Sequence, residues 1–345
     1  MLIYIVILFF LLILCCFENN KTCFLIGIIT LFVFAVLRGV GVDRDYETYI
    51  SIYEYLINGE PYTIEPTFIL ATYVSHYLTG SPVLIFFVFA LVAVYYKSKF
   101  ILTFSPYICL SLLVYYSNFY FVHELTQIRI GAASAIGFYA IKYLIENNRR
   151  KFIILVLISS LFHFSMIVLL IALLFDKKKI NTNYIVTTYF LIIAGYVLIY
   201  LNISPLRVLQ YIPISVLREK LAIYTYQTEN GMIEPVNVTS IVQLIKLCVI
   251  TFIFSNASKF ENNASMILLS KLYSLSPVCL VLLSSLPAFA IRVSELYSVA
   301  DIVVLPILAT YCKQGRLIRL GIVVLATCIL LMNLYHNGIV KGYHF

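Results

Sequence analysis

Four short stretches set charge or imidazole against apolar sequence. LRGVGVDRDYETY carries Arg38, Asp43, Asp45, Tyr46 and Tyr49, and HELTQIRIGAASA carries His123, Glu124, Gln127 and Arg129. SSLFHFSM carries His163 and Ser165, and IRVSELYSVAD carries Arg292, Ser294, Glu295 and Asp301. A full charge at the centre of a membrane helix costs roughly 2.5–3.5 kcal/mol on insertion scales, so it persists where it faces water, a partner or a substrate. Arginines that meet in a wet cavity form an anion site, because the planar guanidinium fork matches phosphate oxygens and keeps its charge when partly desolvated. For an anion reached from within a membrane, a lipid diphosphate fits better than a soluble metabolite.

Each stretch also has a plainer reading. Arg292 and Glu295 are three apart and can pair on one helix face. His163 can be a helix-to-helix hydrogen-bonding residue. The small residues after Arg129 suit close helix packing, which accounts for the alanines and glycine but not for the charges. Asp45 to Leu56, with Tyr46, Tyr49, Ile50 and Tyr53 on one helical face, reads as an interfacial helix.

The elements that hold these residues must be membrane helices. The chain has 345 residues, 62% of them hydrophobic and 12% charged, with a mean hydropathy of +0.98. Apolar runs long enough for a ~30 Å hydrocarbon core recur from end to end and lack the alternation of barrel strands. The expected class is an all-α polytopic integral membrane protein, a single membrane domain over residues 1–345, with about 10–12 spans at roughly 20 apolar residues each. Two polar stretches interrupt it, Arg38 to Glu65 and Asn202 to Asn237, the second including an extracytoplasmic loop over 202–237. The opening MLIYIVILFFLLILCC lacks a basic n-region and a cleavage site and reads as a retained span. Eight cysteines, scattered in apolar runs without paired spacing, predict neither a disulfide nor a metal site.

A formal charge of +8 comes from short clusters between spans, which is the positive-inside pattern and not a nucleic-acid footprint. Lys97 with Lys99, Arg149 to Lys151, Lys177 to Lys179, and Lys313 with Arg316 and Arg319 are expected on the cytoplasmic side, leaving Arg129 and Arg292 outside. One segment breaks the parity. Phe152 to Phe175 lies between two basic clusters, so either it folds back at LFHFS as a re-entrant pair of limbs with His163 at the turn, or one cluster violates the rule. The side of the 38–65 loop stays open. The 28 tyrosines, without a single tryptophan, serve as interfacial anchors or as sugar-stacking platforms.

In these same stretches the chain resembles the EpsG-like and Wzy-type polysaccharide polymerases of bacterial envelopes. The resemblance rests on an ordered set: Arg38 with VGVD and Tyr46, Glu65-Pro66-Thr67-Phe68 opening a span, IRIGAA from Ile128, FHFS from Phe162, and IRVSE from Ile291. Ile130 stands where members commonly have Gln. The resemblance implies a metal-independent glycosyltransferase without cofactor, joining undecaprenyl-diphosphate-linked repeat units at the outer face of the inner membrane. It implies Arg38, Arg129 and Arg292 on the diphosphate; His163, Glu124 or Asp43 as the base; and Tyr46, Ser165 and Glu295 against the substrate. Membrane lipid, a chain-length regulator and a flippase are the implied partners. A flippase of the same lipid-linked saccharide is the competing class, although no internal repeat of the kind many transporters carry is visible. An O-antigen ligase shares the donor and differs in acceptor.

Overall fold

The computed structural model describes residues 1–201, 203, 226, 235–261 and 263–342. The expected 202–237 loop therefore lies mostly outside the described residues. Among these residues the secondary structure is helical, with one isolated bridge, Asp43 to Val340, and no strand. The all-α polytopic class holds. Five helices are long and apolar enough to cross a membrane alone: Val83–Phe104, Ile128–Ile145, Thr182–Tyr200, Ala264–Leu282 and Gly315–His336. Shorter apolar helices include Leu2–Cys15, Lys21–Val36 and Ile241–Ser255.

Polarity runs inside out, as a lipid solvent requires. Phe9, Leu25, Phe190 and Ile193 are exposed, whereas Lys97, His123, Glu124 and Ser134 are buried. Water would reverse that distribution, because exposed apolar area is costly there and unpaired buried charge more so.

The chain divides into two compact units, Met1–Leu173 with Asp301–Phe345, and Leu174–Ala300. The first begins with α1 (Leu2–Cys15), α2 (Lys21–Val36), α3 (Tyr46–Ile57), α4 (Pro66–Thr79) and α5 (Val83–Phe104). Next come α6 (Ile108–Tyr115), a π-helix (Tyr116–Thr126), α7 (Ile128–Ile145), α8 (Arg149–Phe162) and a 3-10 helix (Phe164–Leu174). Local chemistry sets several boundaries. Asn20 caps α2 by accepting from the Thr22 and Cys23 amides, and Asn148 caps α8 by accepting from that of Lys151. Pro66 starts α4 and Gly80, at a φ of 65°, ends it.

α3 is not a free interfacial helix. Tyr49, Ile52, Tyr53 and Leu56 pack on Phe68, Phe86 and Phe89 of α4 and α5, together with Ile128 and Ala132 of α7. The buried face is thus turned slightly from the expected Tyr46, Tyr49, Ile50, Tyr53 set, while Glu47, Ser51 and Glu54 face out.

One orientation marker needs correction. Lys97 is no loop charge: α5 continues to Phe104, and Lys97 is wholly buried within it. Its ammonium donates to Glu124 at 2.5 Å and lies 3.1 Å from His123 Nδ1. Of the two readings of 152–175, the break is present: at His163 the backbone is extended (φ −158°, ψ 121°) between α8 and the 3-10 helix.

The second unit contains α9 (Thr182–Tyr200), α10 (Ile241–Ser255), α11 (Ala264–Leu282) and α12 (Pro287–Ser298). Buried Lys271 ties its entry loop down by donating to the Asp176 and Lys179 carbonyls. The chain then re-enters the first unit through α13 (Asp301–Tyr311) and α14 (Gly315–Leu331).

Candidate functional site

A proline sets the central carboxylate of the first unit. The residue before proline is driven to extended backbone, and Glu65 has φ −63° and ψ 144° at the start of α4. Its side chain does not cap its own helix. It reaches across instead, so that Oε2 pairs with Arg129 and Oε1 lies 3.8 Å from His163 Nε2. Three segments far apart in sequence thereby meet on one carboxylate.

Arg129 stands in the first turn of α7 because the π-helix ends at Thr126 and Gln127 alone joins the two. A cation there opposes the helix dipole, so helix stability is no reason for it, whereas an anion placed there gains from both guanidinium and dipole. The guanidinium lies 5.9 Å from the Tyr49 ring centre and keeps a quarter of its side chain exposed. Its buried Nε–H has no hydrogen-bond acceptor among the described residues. Gly131 permits this placement: a Cβ there would stand 2.3 Å from the His123 carbonyl oxygen, so α7 could not lie this close to the π-helix with any other residue.

On the far side of Glu65, the His163 ring has a defined polarity. The Ser165 amide donates to Nδ1 at 3.3 Å and the Ser165 hydroxyl lies 2.7 Å from the same nitrogen. Nδ1 therefore accepts, and the neutral ring carries its proton on Nε2, toward Glu65. Glu65, His163 and Ser165 form a chain in which the hydroxyl can pass a proton to the ring while the carboxylate stabilises the cation that results.

The other expected residues lie elsewhere. Arg38 and Asp43 pair at 3.4 Å with both side chains enclosed, and Arg38 also donates to the Glu124 carbonyl and lies 4.4 Å from the Phe86 ring centre and 6.0 Å from that of Tyr46. Burial pushes the Asp43 carboxyl above its ordinary range against the pull of Arg38, and the carboxylate accepts from the Asp45 amide. Glu124 is enclosed with Lys97. This second cluster braces the loop after α2 against the π-helix. Tyr49 lies one helical turn from Tyr46, so α3 carries a ring at each cluster.

Arg292 and Glu295 belong to the second unit. They do not close the expected pair, and the cations acting on Glu295 are Lys246 and Arg292. Lys246 donates to Ser276 at 3.0 Å and Ser298 at 2.6 Å, and Ser276 bonds Ser294 at 2.9 Å. Lys246 gave no sign in the sequence beyond being a cation inside an apolar run. Among the described residues no three His, Cys, Asp or Glu side chains gather as a metal site requires.

No curated protein and no solved structure matches the chain. A family match does extend over residues 21–344 and takes in every residue of the Glu65, Arg38 and Lys246 clusters. On that match the chain belongs to the EpsG family, and its role is that of a polysaccharide polymerase.

Proposed function

We propose that this polymerase joins oligosaccharide repeat units carried on undecaprenyl diphosphate, at the outer face of the bacterial inner membrane. The observation that carries the reading is Glu65, whose single carboxylate holds Arg129 on one side and His163 on the other. A glycosyl transfer from a lipid diphosphate has two demands, a cation for the departing group and a base for the acceptor hydroxyl, and the two partners of Glu65 match them.

In the step proposed, the acceptor sugar oxygen forms its bond to the donor anomeric carbon as the bond from that carbon to the diphosphate oxygen breaks. The diphosphate leaves with the electron pair and is met by Arg129 and the amino end of α7. The acceptor proton passes to the Ser165 oxygen while the Ser165 proton moves to His163 Nδ1. Glu65 then faces an imidazolium at Nε2. Tyr49, buried against Phe68 and Phe86, backs the Arg129 guanidinium with its ring and helps hold it in place. Arg38, Asp43 and Glu124 brace this arrangement and Tyr46 lines its far end, while in the second unit Arg292 offers an anion contact and Glu295 a hydrogen-bond acceptor for a sugar hydroxyl.

Since arginine supplies the positive charge, turnover is expected to survive chelation of divalent cations by EDTA. Deleting the gene tests the reading against the flippase alternative. A polymerase leaves single lipid-linked units accumulating at the outer face, whereas loss of outer-face units signals a flippase. A ligase reading predicts full-length polymer that stays on its lipid carrier.

A further inference from the structure

A cavity of about 510 Å³ lies in the first unit, apart from the Glu65 cluster, with Glu18, Tyr107, Arg316 and Arg319 among its walls. Leu12 of α1 and Leu320 of α14 also line it. Glu18 lies in the turn just past α1 with Leu12 inside the helix, and on α14 Arg316 and Arg319 each precede by one turn an apolar wall residue, Leu320 and Val323, the polarity gradient of a phospholipid from headgroup to acyl chain. The neighbouring outer faces are apolar and open, with Phe9 and Ile13 on α1 and Leu317 and Val324 on α14 all exposed. Open apolar faces of this kind suit lipid tails.

The charge is complementary to a phosphate diester. Arg319 pairs with Glu18 and stands 4.7 Å from the Tyr107 ring centre, whereas Arg316 makes no ion pair among the described residues. Two arginines against one carboxylate leave a net positive wall at a helix end, the arrangement that holds anionic headgroups between membrane helices. The wall is also fixed in place. The Cys109 amide donates to the Glu18 carbonyl and the Ile108 amide to Asn19 Oδ1, tying the turn after α1 to the start of α6.

We propose that this cavity binds one anionic phospholipid, its phosphate diester on Arg316 and Arg319 in competition with Glu18, and its acyl chain along Leu12 and Leu320. The occupant is independent of the polymerase substrate. Full-length protein in nanodiscs of mixed phosphatidylcholine and phosphatidylglycerol, with retained lipid counted by native mass spectrometry, tests the proposal. Wild type is expected to retain phosphatidylglycerol over phosphatidylcholine. R316Q/R319Q should lose that preference by about fivefold for each arginine removed, because one basic residue near a charged membrane surface is worth about 1 kcal/mol. Glu18→Gln removes the competitor and should raise it, which decides the matter even where the double variant fails to fold. An unchanged preference in either variant overturns the proposal. Displacement of the lipid by inorganic phosphate also overturns it, since the site would then recognise a bare anion.

Discussion

Glu65 is the residue on which the site turns, and it is the least conspicuous in the sequence. Arg129, His163 and Ser165 were legible because a charge or imidazole in an apolar run demands a reason. Glu65 sits in a polar stretch where carboxylates are ordinary, and only the Pro66 beside it marks its backbone as fixed. Glu65→Gln keeps an acceptor for Arg129 but removes the charge that offsets both cations. Polymer formed per molecule is expected to fall about 100-fold, in the range of a lost acid–base partner, with membrane abundance near normal. Glu65→Asp should recover part of the loss, which a merely structural role would not produce. Lys97 was misread for a related reason: its partner Glu124 is 27 positions away, a separation no local spacing reveals. Lys97→Met strands a buried carboxylate and should destabilise the protein by about 3–5 kcal/mol, while Lys97→Met with Glu124→Gln should regain most of that. Equal thermal midpoints for all three proteins would show that the pair is no lock.

At the level of elements, most helices were visible as apolar runs, and charge parity around 152–175 left a break at His163 as one of two readings. What stayed hidden was the π-helix of residues 116–126, because its wider hydrogen bonding leaves no periodic mark in so apolar a run. Its consequence is large. It ends one residue before α7 and sets the turn from which Arg129 projects, with Gly131 against the His123 carbonyl. Gly131→Ala introduces a methyl where no space exists and should cost about 1–3 kcal/mol of stability, as overpacking typically does. Because the strain falls on the turn that aims Arg129, activity per molecule should drop more than abundance. Polymer output that simply tracks the amount of protein would remove the link between this contact and the site.

For the whole molecule, composition alone was enough for the class, while topology was harder because one of its markers was a buried ion pair. With Lys97 removed from the count, orientation rests on Arg149 to Lys151, Lys177 to Lys179 and the cluster around Arg316. α8 rises about 21 Å at 1.5 Å per residue and the 3-10 helix about 22 Å at 2.0 Å, so neither spans ~30 Å alone. With the basic clusters at Arg149 to Lys151 and Lys177 to Lys179 both on the cytoplasmic side, cysteines introduced at Asn148 and Asn181 in a background free of native cysteine are expected to label from the same side, the outcome of two limbs that return. Labelling from opposite sides would make the segment one broken span and leave the His163 contacts unchanged.

The central claim is that Arg129 holds a diphosphate through its planar fork, in a polymerase that Glu65 organises. Arg129→Lys preserves the charge and discards the fork, so it separates a clamp from a simple cation. The decisive measurement is polymer length and rate from purified wild type and Arg129→Lys, reconstituted in lipid with undecaprenyl-diphosphate-linked repeat units as sole substrate. The expected result is a ladder from wild type in the presence of EDTA and almost only unjoined units from the lysine variant. A full ladder from Arg129→Lys at equal protein, or none from folded wild type, would contradict it.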